Sequence, residues 1–118
     1  MAKILIVDDH ERFLQTMHFA LEDLHEVQTA RGAEEALRCM EEACPQLVMT
    51  DYMMPDMDGL EFIEKMQGHH CSPKVMLVSA YLNHAVIIRA RALGASDCVD
   101  KPFDLHDLRD RIDRALSS

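Results

Sequence analysis

Leu47-Val48-Met49-Thr50-Asp51-Tyr52-Met53-Met54-Pro55-Asp56-Met57-Asp58-Gly59-Leu60 runs from a strand into a loop. Leu47 to Thr50 is the length of a short buried strand, and Pro55 and Gly59 punctuate the residues after it as a turn-rich connection. Asp51 stands at the junction, so a carboxylate sits at a strand's carboxyl end. In an open parallel sheet that end is where ligands bind, because loops and helix N-termini line the crevice there instead of packed core. Asp51 is therefore the candidate for the chemistry.

The flanking sequence repeats the alternation. Lys3 to Val7 is a nearly continuous apolar run ending in Asp8-Asp9, the pattern of a strand buried on both faces with acid at its tip. Phe13, Met17, Leu21 and Leu24 then form one helical stripe, which predicts a first helix over 11–24. Glu26 to Ala30 is a weaker strand. Gly32 opens a second helix with Ala33, Ala36, Leu37 and Met40 on one side, stopped by Pro45. After the opening stretch, Asp58 with Glu61 three residues on gives capping-box spacing for a third helix, and Gly68 suits its end. Val75 to Val78 reads as a fourth strand running into Ser79, and 83–93 as a fourth helix terminated by Gly94. Cys98-Val99 centres a short fifth strand leading to Lys101-Pro102-Phe103. The last helix starts near Asp104 with Leu105, Leu108, Ile112 and Ala115 on one stripe. Five strands alternating with five helices call for a parallel sheet covered on both faces, in one domain over 1–118. Right-handed crossovers leave few topologies, and in the doubly wound order 2-1-3-4-5 strands 1 and 3 are neighbours. Asp8, Asp9 and Asp51 then meet in one crevice.

Composition removes several function classes. Twenty-one acidic against twelve basic residues give a formal charge of −9, the wrong sign for holding a phosphate backbone, so no direct nucleic-acid contact is expected. No apolar run approaches the roughly 18 residues of a membrane helix, and the amino terminus is broken by charge too early for a leader; a cytoplasmic chain is expected. Cys39, Cys44, Cys71 and Cys98 lack Cys-x-x-Cys spacing, which argues against a zinc or redox motif and for reduced thiols. His69-His70-Cys71 lacks further ligands for a metal, and the seven histidines, His10 included, read as solvated or packed.

Three carboxylates in one crevice repel: two unit charges about 4 Å apart cost roughly 4 kcal/mol at an effective dielectric near 20. A hard divalent cation relieves this, and Mg²⁺ suits a few carboxylates with waters and a phosphate oxygen. Lys101 at the end of the fifth strand adds a fixed positive charge and Ser79 at the end of the fourth a hydroxyl. Carboxylate nucleophile, metal, ammonium and hydroxyl together describe a site for taking up a phosphoryl group. Taken singly, Asp8-Asp9 fit equally well as helix caps, and Ser79 or Lys101 as ordinary surface residues. Their shared position at the ends of four strands is what carries the functional reading.

Over essentially its whole length the chain resembles the receiver domain of two-component response regulators. The matching motifs are Asp8-Asp9, Asp51 followed by Met54-Pro55-x-Met57-x-Gly59, Ser79-Ala80, Gly94-Ala95 and Lys101-Pro102-Phe103. The resemblance implies a flavodoxin-like sheet in the order 2-1-3-4-5. It also implies that Asp51 accepts a phosphoryl group from a phosphohistidine on a sensor histidine kinase or phosphotransfer protein. Asp8, Asp9, Asp51 and the backbone carbonyl of Met53 would hold Mg²⁺, and Lys101 and Ser79 would contact phosphoryl oxygens. Such a domain is a signalling phosphoacceptor that catalyses only its own phosphorylation and dephosphorylation. It passes the change to an output domain or target protein through the face formed by helix 4, strand 5 and helix 5.

One position departs from the family. Three residues before Lys101, where members usually carry Tyr or Phe, stands Cys98. The hydroxyl half of the family's switch is present in Ser79 and the ring is missing, so Tyr81 is the candidate to relay the signal in its place. Met53 and Tyr81 also occupy positions flanking the phosphoryl group, where their bulk is expected to restrict attacking water. Arg89, Arg91, Asp97, Arg109, Asp110 and Asp113 are candidates for ion pairs across a homodimer interface. Three rivals are weaker. A haloacid-dehalogenase-type phosphatase wants a second Asp where Met53 stands, a flavodoxin wants a phosphate loop where Asp8-Asp9 would repel one, and a degenerate docking-only receiver would not need the full acidic set with Lys101. The chain stops directly after the last helix, consistent with a stand-alone regulator or the front of a longer protein.

Overall fold

A computed structural model describes all residues, Met1–Ser118. The elements are β1 (Lys3–Val7), α1 (Glu11–Leu21), β2 (Glu26–Ala30), α2 (Ala33–Glu42), β3 (Leu47–Thr50), α3 (Gly59–Met66), β4 (Lys74–Ser79), α4 (His84–Ala92), β5 (Asp97–Asp100) and α5 (Leu105–Ser117). The strands form one parallel sheet in the order β2-β1-β3-β4-β5, so the doubly wound expectation holds.

Alternate strand residues serve opposite faces, as the pleat requires. Ile4, Ile6, Leu47, Met49, Met76 and Val78 pack against Leu14, Met17 and Leu21 of α1 and Leu108, Ile112 and Ala115 of α5. Leu5, Val7, Val48, Val75 and Leu77 pack on the other face with Met40, Phe62, Ile63, Met66, Val86 and Ala90 of α2, α3 and α4. Both faces are covered, which is why β1, β3 and β4 read as unbroken apolar runs.

The helix ends show local chemistry at work and several departures from expectation. The first helix stops at Leu21, three residues short, because the chain turns there: Leu24 and His25 N–H groups both donate to the Leu21 carbonyl. Its buried stripe is Leu14, Met17 and Leu21, while Phe13 is half-buried and Leu24 exposed. Asp58 caps α3 by accepting from the Glu61 N–H at 2.9 Å, as its spacing predicts. Asn83 does the same for α4 through Val86, and Asp104 for α5 through His106 and Asp107. Gly68 is not in the left-handed region, so it is no left-handed C-cap for α3; Gly94, at φ 104°, fills that role after α4. The fourth helix buries only Val86 and Ala90, with Ile88 exposed, so its ring of apolar residues is not matched by burial on all sides.

Gly32 precedes α2 with no side chain to offer, and the cap comes instead from the β3–α3 loop. There the Asp56 carboxylate accepts from the Glu34 N–H at 2.9 Å. Cys44 and Cys71 are joined by a disulfide, with Cα atoms 5.8 Å apart, between the loop after α2 and the loop after α3. This corrects the expectation of four reduced thiols: residues 27 apart in sequence show no spacing motif, and the sheet is what brings their loops together. Cys39 and Cys98 are free. No helix is long and apolar enough to cross a membrane.

Candidate phosphoryl-acceptor site

Strand register decides what meets at the crevice. Val7 pairs with Thr50, Thr50 with Leu77, and Ser79 with Asp100. The next residues along β1 and β3 are Asp8 and Asp51, held by Asp8 N–H to Ala30 O and Asp51 N–H to Val7 O. Lys101 is held against β4 through its N–H to Ser79 O at 3.0 Å. Sheet hydrogen bonding therefore places two acids and an ammonium in one layer before any side chain is considered.

Asp8 and Asp51 are buried, 0% and 3% exposed, whereas Asp9 stays at the surface. Isolated buried carboxylates are costly, and the compensation is visible. Lys101 Nζ lies 2.5 Å from Asp8 Oδ2 and 3.7 Å from Asp51 Oδ2. Asp8 Oδ1 accepts from the His10 N–H at 2.9 Å, and His10 Nδ1 sits 2.9 Å from Asp8 and 3.2 Å from Asp9. Burial would raise the Asp8 carboxyl pKa, but the Lys101 and His10 hydrogen bonds overrule it and hold the group below its usual range. The Asp8 and Asp9 carboxylates in turn raise His10. Asp51 Oδ1 accepts from the Tyr52 N–H at 2.7 Å, leaving Oδ2 toward Lys101.

Lys101 is itself positioned. Its ammonium lies 3.9 Å from the centre of the Phe13 ring, which meets Phe103 edge-to-face at 6.2 Å. Ser79 is fully buried and its Oγ accepts from the Tyr81 N–H at 3.1 Å. Tyr81 itself is 61% exposed, and Met53, on the loop bordering the crevice, is half exposed. Cys98 is half-buried on β5, packed against the α2–α3–α4 face, with its thiol pKa pushed up chiefly by burial. Gly59 is required by close approach: a Cβ there would stand 2.5 Å from the Asp51 carbonyl oxygen and 3.0 Å from Leu77.

Asp8, Asp9, His10 and Asp51 offer donor atoms all within 4.8 Å of one another. Three carboxylates against one ammonium leave two negative charges uncompensated while His10 is neutral. Hard oxygen donors with that residual charge fit a divalent cation such as Mg²⁺. The structure thus brings Asp8, Asp9, Asp51 and Lys101 together, with Ser79 at the next strand tip. The capping alternative for Asp8 and Asp9 is not what forms, because His10 holds the N-cap position of α1. Two contributors escaped sequence reasoning. His10 had its adjacency to the acidic pair as a signal, but Phe13 acts across the fold on Lys101 and had none.

A model of the response regulator receiver domain matches residues 4–113. The chain belongs to that family. It is 38% identical over 117 residues to the regulatory protein AtoC of Escherichia coli, covering 97% of this chain but 25% of AtoC. To the chemotaxis protein CheY of Listeria monocytogenes it is 33% identical over 118 residues, covering 98% of each. The crystal structure of a CheY-like receiver domain protein from Methanospirillum hungatei superposes with a TM-score of 0.93 at 30% identity, covering 99% of this chain and 94% of that one. The chain thus spans a quarter of the regulator AtoC and nearly all of CheY.

Proposed function

We propose that this receiver domain takes a phosphoryl group onto Asp51 from a phosphohistidine of a sensor kinase or phosphotransfer protein, with Mg²⁺ held by Asp8, Asp9, Asp51 and the Met53 carbonyl. The observation that carries the reading is the buried Asp51 carboxylate with one oxygen tied to the Tyr52 N–H and the other facing Lys101. That oxygen is the nucleophile. It forms the O–P bond as the P–N bond of the phosphohistidine breaks, and the donor imidazole leaves with its electron pair and takes a proton. The metal, when bound, supplies charge neutralisation between the carboxylates and the incoming phosphoryl oxygens. Lys101, with its ammonium against both Asp8 and Asp51, supplies a second positive charge, and the Ser79 hydroxyl has its proton free to donate to a phosphoryl oxygen. Met53 and Tyr81 flank the group and restrict the water that would hydrolyse it.

The product adds roughly −1.5 to −2 charges at a buried strand tip. Ser79 turning toward that charge releases the Tyr81 N–H, and through it the segment that leads into α4. The signal then leaves by the α4–β5–α5 face to an output domain or target protein, with Tyr81 serving where Cys98 offers no ring. The test is direct: Mg²⁺ with acetyl phosphate, or with beryllofluoride, modifies or occupies Asp51 in the parent and not in Asp51→Asn. Equal labelling of both would overturn the reading.

A further inference from the structure

We propose that Cys44 and Cys71 form a reversible dithiol–disulfide site that exchanges with low-molecular-weight disulfides of the glutathione class, at the end of the sheet opposite Asp51. Their Cα separation of 5.8 Å falls within the roughly 4.4–6.8 Å that a disulfide needs. The proximity does not depend on the bond. Lys74 N–H donates to Gln46 O at 2.9 Å and Leu47 pairs with Lys74, so the β3–β4 ladder itself fixes the loop carrying Cys44 beside the loop carrying Cys71. A reduced protein therefore presents the two thiols to each other already.

Their surroundings give the two sulfurs different parts. Cys44 is exposed and reachable by a reagent, while Cys71 is 8% exposed and shielded. The Cys44 thiolate attacks one sulfur of the small disulfide, its S–S bond breaks, and one thiolate leaves. The Cys71 thiolate then attacks Cys44 Sγ, forming the internal bond and expelling the second thiolate. The protein loses two electrons, the reagent gains them as two thiols, and both protons pass to solvent or the leaving groups. A small dithiol reverses the sequence. Cys39 and Cys98 stand apart: both are free and half-buried, with burial foremost in raising their thiol pKa, so they are poor exchangers. A bridge with one accessible sulfur is open to attack by a small thiol, and here Cys44 offers that sulfur while Cys71 stays shielded.

The bond closes a loop that contains β3, Asp51 and α3, so its main effect is to restrict the unfolded chain. Opening the bond in the intact chain with a small dithiol, removing the dithiol and then adding oxidised glutathione tests the assignment, and a bond that the dithiol leaves closed in the folded protein would overturn it. Expected is the loss of two alkylatable thiols, a mass lower by two hydrogens with no retained glutathione, and a melting temperature higher by on the order of 10 °C. Cys71→Ser is expected to stop at the glutathione adduct on Cys44, and Cys44→Ser to keep its thiols. Four thiols remaining in the parent, a stable adduct on the parent like that on Cys71→Ser, or a bond between two chains would each overturn it. Beryllofluoride binding at Asp51 is read in the same samples, so failure here is distinguishable from failure of the acceptor reading.

Discussion

At the scale of single residues, the site is a balance of charge that His10 and Lys101 set before any ligand arrives. Because His10 owes its raised pKa first to the Asp8 hydrogen bond and then to the Asp9 charge, its folded value lies above about 6.5. The stability it contributes is present below that unfolded value and is lost as pH rises through the folded one. An NMR titration of the His10 ring is expected to show a midpoint above 6.5 in the parent and a lower one in Asp8→Asn; identical midpoints would refute the coupling. Gly59 makes a second residue-scale case. Since a Cβ would collide with the Asp51 backbone, Gly59→Ala is expected to cost about 1–3 kcal/mol in denaturant unfolding and to move the Asp51 amide resonance. These requirements differ in how legible they are. Gly59 belongs to a motif visible in the sequence, but the reason for it, an atom eight residues earlier, appears only once β3 and α3 are folded together.

Among elements, the β3–α3 loop does two jobs. It borders the crevice at Asp51, and through Asp56 it caps α2, whose own N-cap residue is Gly32. Burial would raise the Asp56 pKa, but the Glu34 and Ala33 backbone N–H groups hold it below the ordinary value of 3.8. The cap's contribution is therefore complete above that pH and disappears as pH falls through the depressed folded value. Asp56→Ala is expected to lose about 1 kcal/mol of stability at neutral pH, with the difference from the parent closing under acid. A constant difference across pH would mean the carboxylate is not the cap. The strands and helix starts were readable because their signals are local: apolar runs, Asp58 before α3, Asp104 before α5. The end of α1 at Leu21 was not, because Leu24 continues the apolar spacing and only the turn toward β2 ends the helix. Asp56 was unreadable for a similar reason, since a cap supplied from 22 residues away has no spacing signature.

For the whole molecule, the parallel order β2-β1-β3-β4-β5 sends every strand's carboxyl end to one side, so Asp8, Asp51, Ser79 and Lys101 converge by topology. The disulfide loops lie at the other end. The α4–β5–α5 face is less free for pairing between copies than its charges suggest. Asp97 is taken by Arg111 at 3.0 Å, and Arg109 donates to Ala20 O beside Asp23, tying α5 to α1. Of the charges considered for a dimer, Asp97 and Arg109 are thus engaged within the chain. The positions of the tyrosines have a separate consequence. The chain has no tryptophan and two tyrosines, Tyr52 directly after Asp51 and Tyr81 two residues past Ser79. Its tyrosine emission therefore originates from the two segments that follow Asp51 and Ser79, making the protein its own optical reporter. Beryllofluoride with Mg²⁺ is expected to change that emission in the parent and to leave Asp51→Asn dark to the same titration.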